Sequence, residues 1–184
     1  MTWTRTLGAV LLTLVLLGSA SARAQGSGQT AAELWQQGYA LHMLGAFDEA
    51  LQLYRRSIEI GPTAEAHTYL GWALSHLGRL EEAIAQCKAA IAVDPGFGNP
   101  YNDIGAYLIE LGRPDEAVPW LEQAMATERY CCYQFPHFNM GRILVLQGRL
   151  EAAEGAFERV LDYVPDYAPA LRALELIRQQ ERSL

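Results

Sequence analysis

Three cysteines and four histidines are the residues in this chain most able to do chemistry, and their spacing decides what kind. Cys131 and Cys132 are neighbours, so a bond between them would strain the peptide that joins them. A bridge from either one to Cys87 needs Cα atoms within about 7 Å, and Cys87 stands mid-helix in a different segment. The odd count leaves at least one thiol unpaired. A redox centre calls for Cys-x-x-Cys at a helix start, which this is not. His42 and His76 are predicted to share one groove, but two imidazoles without a third ligand make a poor metal site. Asp48-Glu49, Glu81-Glu82 and Asp115-Glu116 recur at predicted helix starts, where the helix dipole favours carboxylates. No nucleophile–base–acid set, phosphate loop or catalytic carboxylate pair stands out. The expectation is a non-enzyme with no cofactor and no metal.

The elements that position these side chains repeat. Gly38, Gly71, Gly105 and Gly141 lie 33, 34 and 36 residues apart, and each is followed seven residues later by Gly45, Gly78, Gly112 or Gly148. Twelve residues after the anchors come Ala50, Ala83, Ala117 and Ala153; twenty-four after them come Pro62, Pro95, Arg129 and Pro165. Such a period belongs to stacked units in a solenoid. Ala64 to Phe97 shows the unit most clearly, as two short amphipathic helices joined at Gly78. Gly71 and Ala83 are small where two helices must approach closely, while Leu70, Leu74 and Ile84 make the apolar stripe. Gly78 can take the left-handed conformation that ends a helix, and Pro95 stops the second helix. Pro119 falls inside a predicted helix, so a kink or late start is expected there.

These residues carry a family resemblance. His67-x-x-Leu70-Gly71-x-x-Leu74, followed by Ala83, Cys87 and Pro95, resembles the tetratricopeptide repeat signature. Tyr101, Ile104-Gly105 and Leu108 repeat it, as do His137, Met140-Gly141, Leu144, Phe157 and Pro165. The first copy departs from it, with Leu34 and Gln37 in the large and apolar slots, although Tyr54 is in phase. The resemblance implies an all-α, right-handed α-solenoid of four helix pairs: repeats at 30–62, 63–97, 98–131 and 132–166, and a capping helix within 167–184. It places Cys87 in an aromatic slot as a buried apolar residue, and explains His67 and His137 by packing.

In that family the first helix of each pair faces a concave groove that holds peptides. The in-phase residues are Trp35, Tyr39 and His42, then Thr68, Trp72 and His76. Asn102 and Ile109 follow, and Phe135, Phe138 and Arg142 close the series. Aromatic residues are enriched at interfaces. Some relatives clamp a terminal carboxylate with several basic and amide groups; Arg142 is this groove's lone predicted cation, which does not support that clamp. The stretch Tyr130 to Pro136 is aromatic and nearly uncharged, and is expected to pack on the solenoid or meet a partner.

The remaining signals concern location. Arg5, an apolar run from Leu7 to Leu17 and Ala22-Arg23-Ala24 form a signal-peptide pattern over 1–24. The flexible leader 25–29 follows. The apolar run is short for a span, which needs about 20 residues; an uncleaved signal anchor is the alternative. The formal charge of −7 argues against nucleic acid as partner. These features imply an exported scaffold for a protein or peptide partner, without membrane insertion after cleavage, periplasmic if the source is Gram-negative. The alternative is a structural subunit that binds only itself, as a homo-oligomer.

Overall fold

The repeat units fold as the glycine phases require. A computed structural model describes residues 28–182, all of it helix and short connections apart from one isolated bridge. The predicted signal segment, the first three residues of the leader and the last two residues lie outside the described residues. Four antiparallel pairs follow one another: α1 (Ala31–Met43) with α2 (Phe47–Ile60), α3 (Ala64–His76) with α4 (Leu80–Val93), α5 (Asn99–Glu110) with α6 (Pro114–Ala126), and α7 (Gln134–Leu146) with α8 (Leu150–Tyr163). A ninth helix, α9 (Ala168–Glu181), closes the stack against α8. The first helices α1, α3, α5 and α7 touch one another in succession and form an inner layer. This is an all-α repeat solenoid.

Local chemistry sets the helix ends. Thr30 accepts from the Glu33 amide while the Glu33 carboxylate accepts from the Thr30 amide, a reciprocal cap. Gly45, Gly78, Gly112 and Gly148 each end a first helix at φ between 71° and 79°, where a side chain would be strained. Arg79 and Arg113 each reach the glutamate three residues on, at 2.7 and 2.6 Å. Exposed pairs of this kind add little stability.

Packing within each pair rests on the anchor glycine and the residue sixteen positions later. A Cβ on Gly38 would stand 2.8 Å from Tyr54, one on Gly105 2.4 Å from Leu121, and one on Gly141 2.5 Å from Phe157. On Gly71 it would meet the Ala83 carbonyl and Cys87 Sγ, both at 3.2 Å. The slot that Cys87 shares with Tyr54, Leu121 and Phe157 is the centre of each pair, and all four are buried.

Burial pushes the Cys87 thiol well above its ordinary range, with Asp103 adding to the shift. Thiolate is the reactive form. Cys87 is therefore expected to resist alkylation in the native protein and react only on unfolding, which mass spectrometry after iodoacetamide treatment would check; rapid native labelling would contradict the burial.

Asn99 is the first residue of α5, preceded by Gly98 with no side-chain cap bond. Tyr167 stands just before α9. The helix α6 begins at Pro114 and includes Pro119, so the expected late start does not occur. Pro119 is exposed, on the water side of the helix, where a missing donor costs least. Cys131 and Cys132 are joined in a disulfide, whereas Cys87 is free.

The linker packs on the solenoid. Tyr130 is buried, and the Tyr133 hydroxyl donates to the Thr127 carbonyl at 2.8 Å. Arg129, standing where the other units have proline, forms a backbone bridge with Phe97 and an ion pair with Asp94. An irregular junction is thereby fastened to the preceding repeat.

Candidate functional site

The inner layer changes character along its length, from an aromatic end through a polar middle to an apolar end. At its N-terminal end, aromatic side chains pack on one another. Trp35 stacks on Tyr69 with centroids 5.4 Å apart, Tyr69 meets Trp72 edge-on at 5.0 Å, and Tyr39 lies 5.1 Å from Tyr69. His42 is buried among Phe47, Tyr54, Trp72 and His76, and burial followed by the neighbouring His76 holds its pKa below the ordinary value. Its Nδ1 has no hydrogen-bond partner among the described residues. Thr68 is also no groove residue: it is buried, and its hydroxyl donates to the Ala64 carbonyl at 2.7 Å. Tyr39 and His76 remain exposed, the latter stacked on Phe47 at 4.5 Å.

The middle of the layer holds a chain of polar contacts. Trp72 Nε1 donates to Asp103 Oδ2 at 2.5 Å, and Asn102 Nδ2 to Asp103 Oδ1 at 3.4 Å. Asn139 Nδ2 donates to Asn102 Oδ1 at 3.1 Å, and Arg142 to Asn139 Oδ1 at 3.1 Å. Three inner helices, α3, α5 and α7, are thus linked through side chains. Asp103 and Asn139 were not among the expected groove residues. Both stand two residues before an anchor glycine, so a polar residue recurring at that phase was the available signal.

Burial raises the Asp103 carboxyl to about 7, against the pull of its bonds to Trp72 and Asn102. The sign follows directly. The folded protein binds this proton more tightly than the unfolded chain, so Asp103 disfavours folding above pH 7 and the penalty fades as pH falls towards 4. Each pKa unit corresponds to about 1.4 kcal/mol, and partial solvent access trims the total. Asp103→Asn is expected to gain on the natural sequence by about 2 kcal/mol between pH 5 and pH 8. Urea unfolding at both pH values measures this, and an unchanged difference would place Asp103 in the ordinary carboxylate range.

The C-terminal end is apolar and open. A groove of about 360 Å³ lies between α7 and α9, lined by Ile109, Phe138, Val145, Leu146, Leu176 and neighbouring residues, with Arg142 at its polar edge. Val145, Leu146 and Leu176 are exposed; Ile109 is mostly buried beneath them. Phe138 is held by Phe157 and Tyr167, each at 5.5 Å, and exposed Phe135 also meets Tyr167. Arg142 thus belongs to both the polar chain and the groove, while Trp72, Asn102 and Phe135 line a second cavity with Asp103. The structure brings Phe138, Arg142 and Ile109 together in one place and keeps Trp35, Tyr39 and His76 apart from them at the other end.

Among the described residues no His, Cys, Asp and Glu cluster is arranged to hold a metal ion, and no helix is long and apolar enough to cross a membrane.

Comparisons with known proteins agree with this geometry. Tetratricopeptide repeat family profiles match residues 16–65, 64–97, 101–129 and 134–159. A search of curated proteins finds no match. Among solved structures, PilF of Pseudomonas aeruginosa is similar at a TM-score of 0.78 with 22% identity, over 83% of this chain and 69% of that one. PilW, described as a type IV pilus biogenesis factor, gives 0.74 and 21% identity over 83% and 72%. YrrB, described as a tetratricopeptide protein with an unusual peptide-binding site, gives 0.64 and 20% identity over 89% and 83%. At these identities the likeness is one of fold.

Proposed function

Because this chain belongs to the tetratricopeptide repeat family, and such repeats make protein–protein interaction scaffolds, we propose that it is an exported, non-catalytic scaffold of the bacterial envelope. Its inner layer binds an extended or helical segment of a partner protein. The observation that carries this reading is the open apolar groove between α7 and α9, where Val145, Leu146 and Leu176 expose hydrocarbon beside a guanidinium. An apolar centre with a polar edge is the anatomy of a protein-binding surface. The description of YrrB as a tetratricopeptide protein with a peptide-binding site is in keeping with that partner class. Export rests on the signal pattern over residues 1–24.

The test is capture in place. A photo-reactive amino acid at Val145, irradiated in intact cells, is expected to join the protein to a different polypeptide in the envelope fraction. The captured scaffold should have a mass corresponding to a start near Gln25. Crosslinks only between copies of this chain would replace the reading with self-association. A retained N-terminal segment would replace export with anchoring, and no crosslink at all would remove the groove as the binding surface.

A further inference from the structure

Asp103 is a carboxylate with aromatic neighbours and, among the described residues, no cation paired with it. The cavity it lines, about 310 Å³, lies between the polar chain of the inner layer and the packed linker. Trp72, Tyr130 and Phe135 supply aromatic surface, Asn102 supplies a carboxamide, and Cys132, bonded to Cys131, forms part of the wall. Among the described residues Asp103 takes part in no ion pair. A volume at the low end of ligand pockets, which run from about 300 to 1,000 Å³, suits one long side chain better than a whole cofactor.

We propose that this cavity is a subsite for a cationic side chain, lysine or arginine, of the segment that the groove binds. The inference rests on the groove reading given above. The chemistry is specific. A carboxylate gives an ammonium or guanidinium group a charge-assisted hydrogen bond, and aromatic faces attract the same cation through their quadrupoles. The formal charge of −7 adds attraction at longer range.

The groups around Asp103 are neutral near pH 7. They are Tyr69 and Trp72 from α3, Cys87 from α4, Asn102 and Tyr107 from α5, and Tyr130 from the linker. On α7, Arg142 is bonded to Asn139 and connects to Asp103 only through Asn139 and Asn102. A carboxyl raised to about 7 by burial fits a site that lacks its counter-ion, and a bound cation would restore the ionised form. Binding should therefore strengthen as pH rises through 7.

The experiment uses ¹⁵N-labelled protein and three small probes: N-acetylarginine amide, N-acetyllysine amide and N-acetylcitrulline amide. Citrulline keeps the shape of arginine and removes its charge. The readout is the Trp72 indole N–H resonance, because that N–H donates to Asp103. Both cationic probes are expected to shift it saturably, at least tenfold more tightly than citrulline, and Asp103→Asn should abolish the difference. In the natural sequence the cationic probes should weaken about tenfold from pH 8 to pH 6, as the fraction ionised falls. Equal affinity for citrulline and arginine, or no pH dependence, overturns the proposal. Both of these comparisons use the natural protein, so they decide even where Asp103→Asn fails to fold. Capture at Val145 with no preference for cationic probes removes this subsite and leaves the groove. Cation preference without capture does the reverse.

Discussion

Phe157→Ala is expected to lower stability by about 3–5 kcal/mol, the usual cost of removing a buried aromatic ring. The ring fills the space left by Gly141, lies 5.5 Å from Phe138, and joins Leu144, Ala153, Val160, Leu174 and Ile177 in one core. That core is distinct from the larger cluster running from Ala50 through Ile143. Units of a solenoid contact only their neighbours, so damage at one end need not spread. Amide hydrogen exchange in Phe157→Ala should show α7, α8 and α9 losing protection while α1 to α4 retain theirs. A uniform loss would mean that the chain unfolds as one body. A loss below about 1 kcal/mol would mean that the pocket under Gly141 collapses around the smaller side chain.

The separation of those two cores could not have been read from the periodicity alone. The repeat fixes which residue meets each anchor glycine, and Tyr54, Cys87, Leu121 and Phe157 all obey it, although their side chains differ in type. Spacing was legible because backbone proximity constrains size at a few positions and nothing else. The groove was harder. Phase alone makes Thr68 equivalent to Asn102, yet Thr68 turns its hydroxyl to the preceding turn and is buried, while Asn102 joins a polar chain across helices. The short threonine hydroxyl reaches the carbonyl of the preceding turn, whereas the longer Asn102 carboxamide reaches Asn139 on the next inner helix. Phase alone likewise leaves His42 facing the groove, yet Phe47, Tyr54, Trp72 and His76 close around it. Asp103 escaped notice because one carboxylate on a helix ordinarily faces water. It shares its cavity with Tyr130 of the linker, a non-repeating segment whose path no period predicts. The Cys131–Cys132 bond belongs to that same segment, which Tyr130 and Tyr133 hold against the solenoid.

Leu146→Glu combined with Leu176→Glu is expected to reduce partner capture at least tenfold and leave folding nearly untouched. Both leucines are about two-thirds exposed, at 66% and 65%, so neither contributes much to the core. Surface changes of that kind usually stay within about 0.5 kcal/mol of the parent. Loss of a hot-spot contact at the centre of an interface costs about 2 kcal/mol or more, which exceeds a tenfold change in affinity. Two carboxylates in an apolar groove also oppose any hydrophobic segment by desolvation. Trp72 would be a poor choice for the same test, because its removal strips a hydrogen bond from Asp103 and an edge contact from Tyr69. A binding defect there could not be told from a folding defect. The leucine pair separates them. Capture from the envelope, normalised to circular dichroism and melting temperature, gives the answer: a folded double variant that still captures its partner moves the binding surface away from α7 and α9. The exposed Tyr39 and His76 at the opposite end of the inner layer then become the surface to alter.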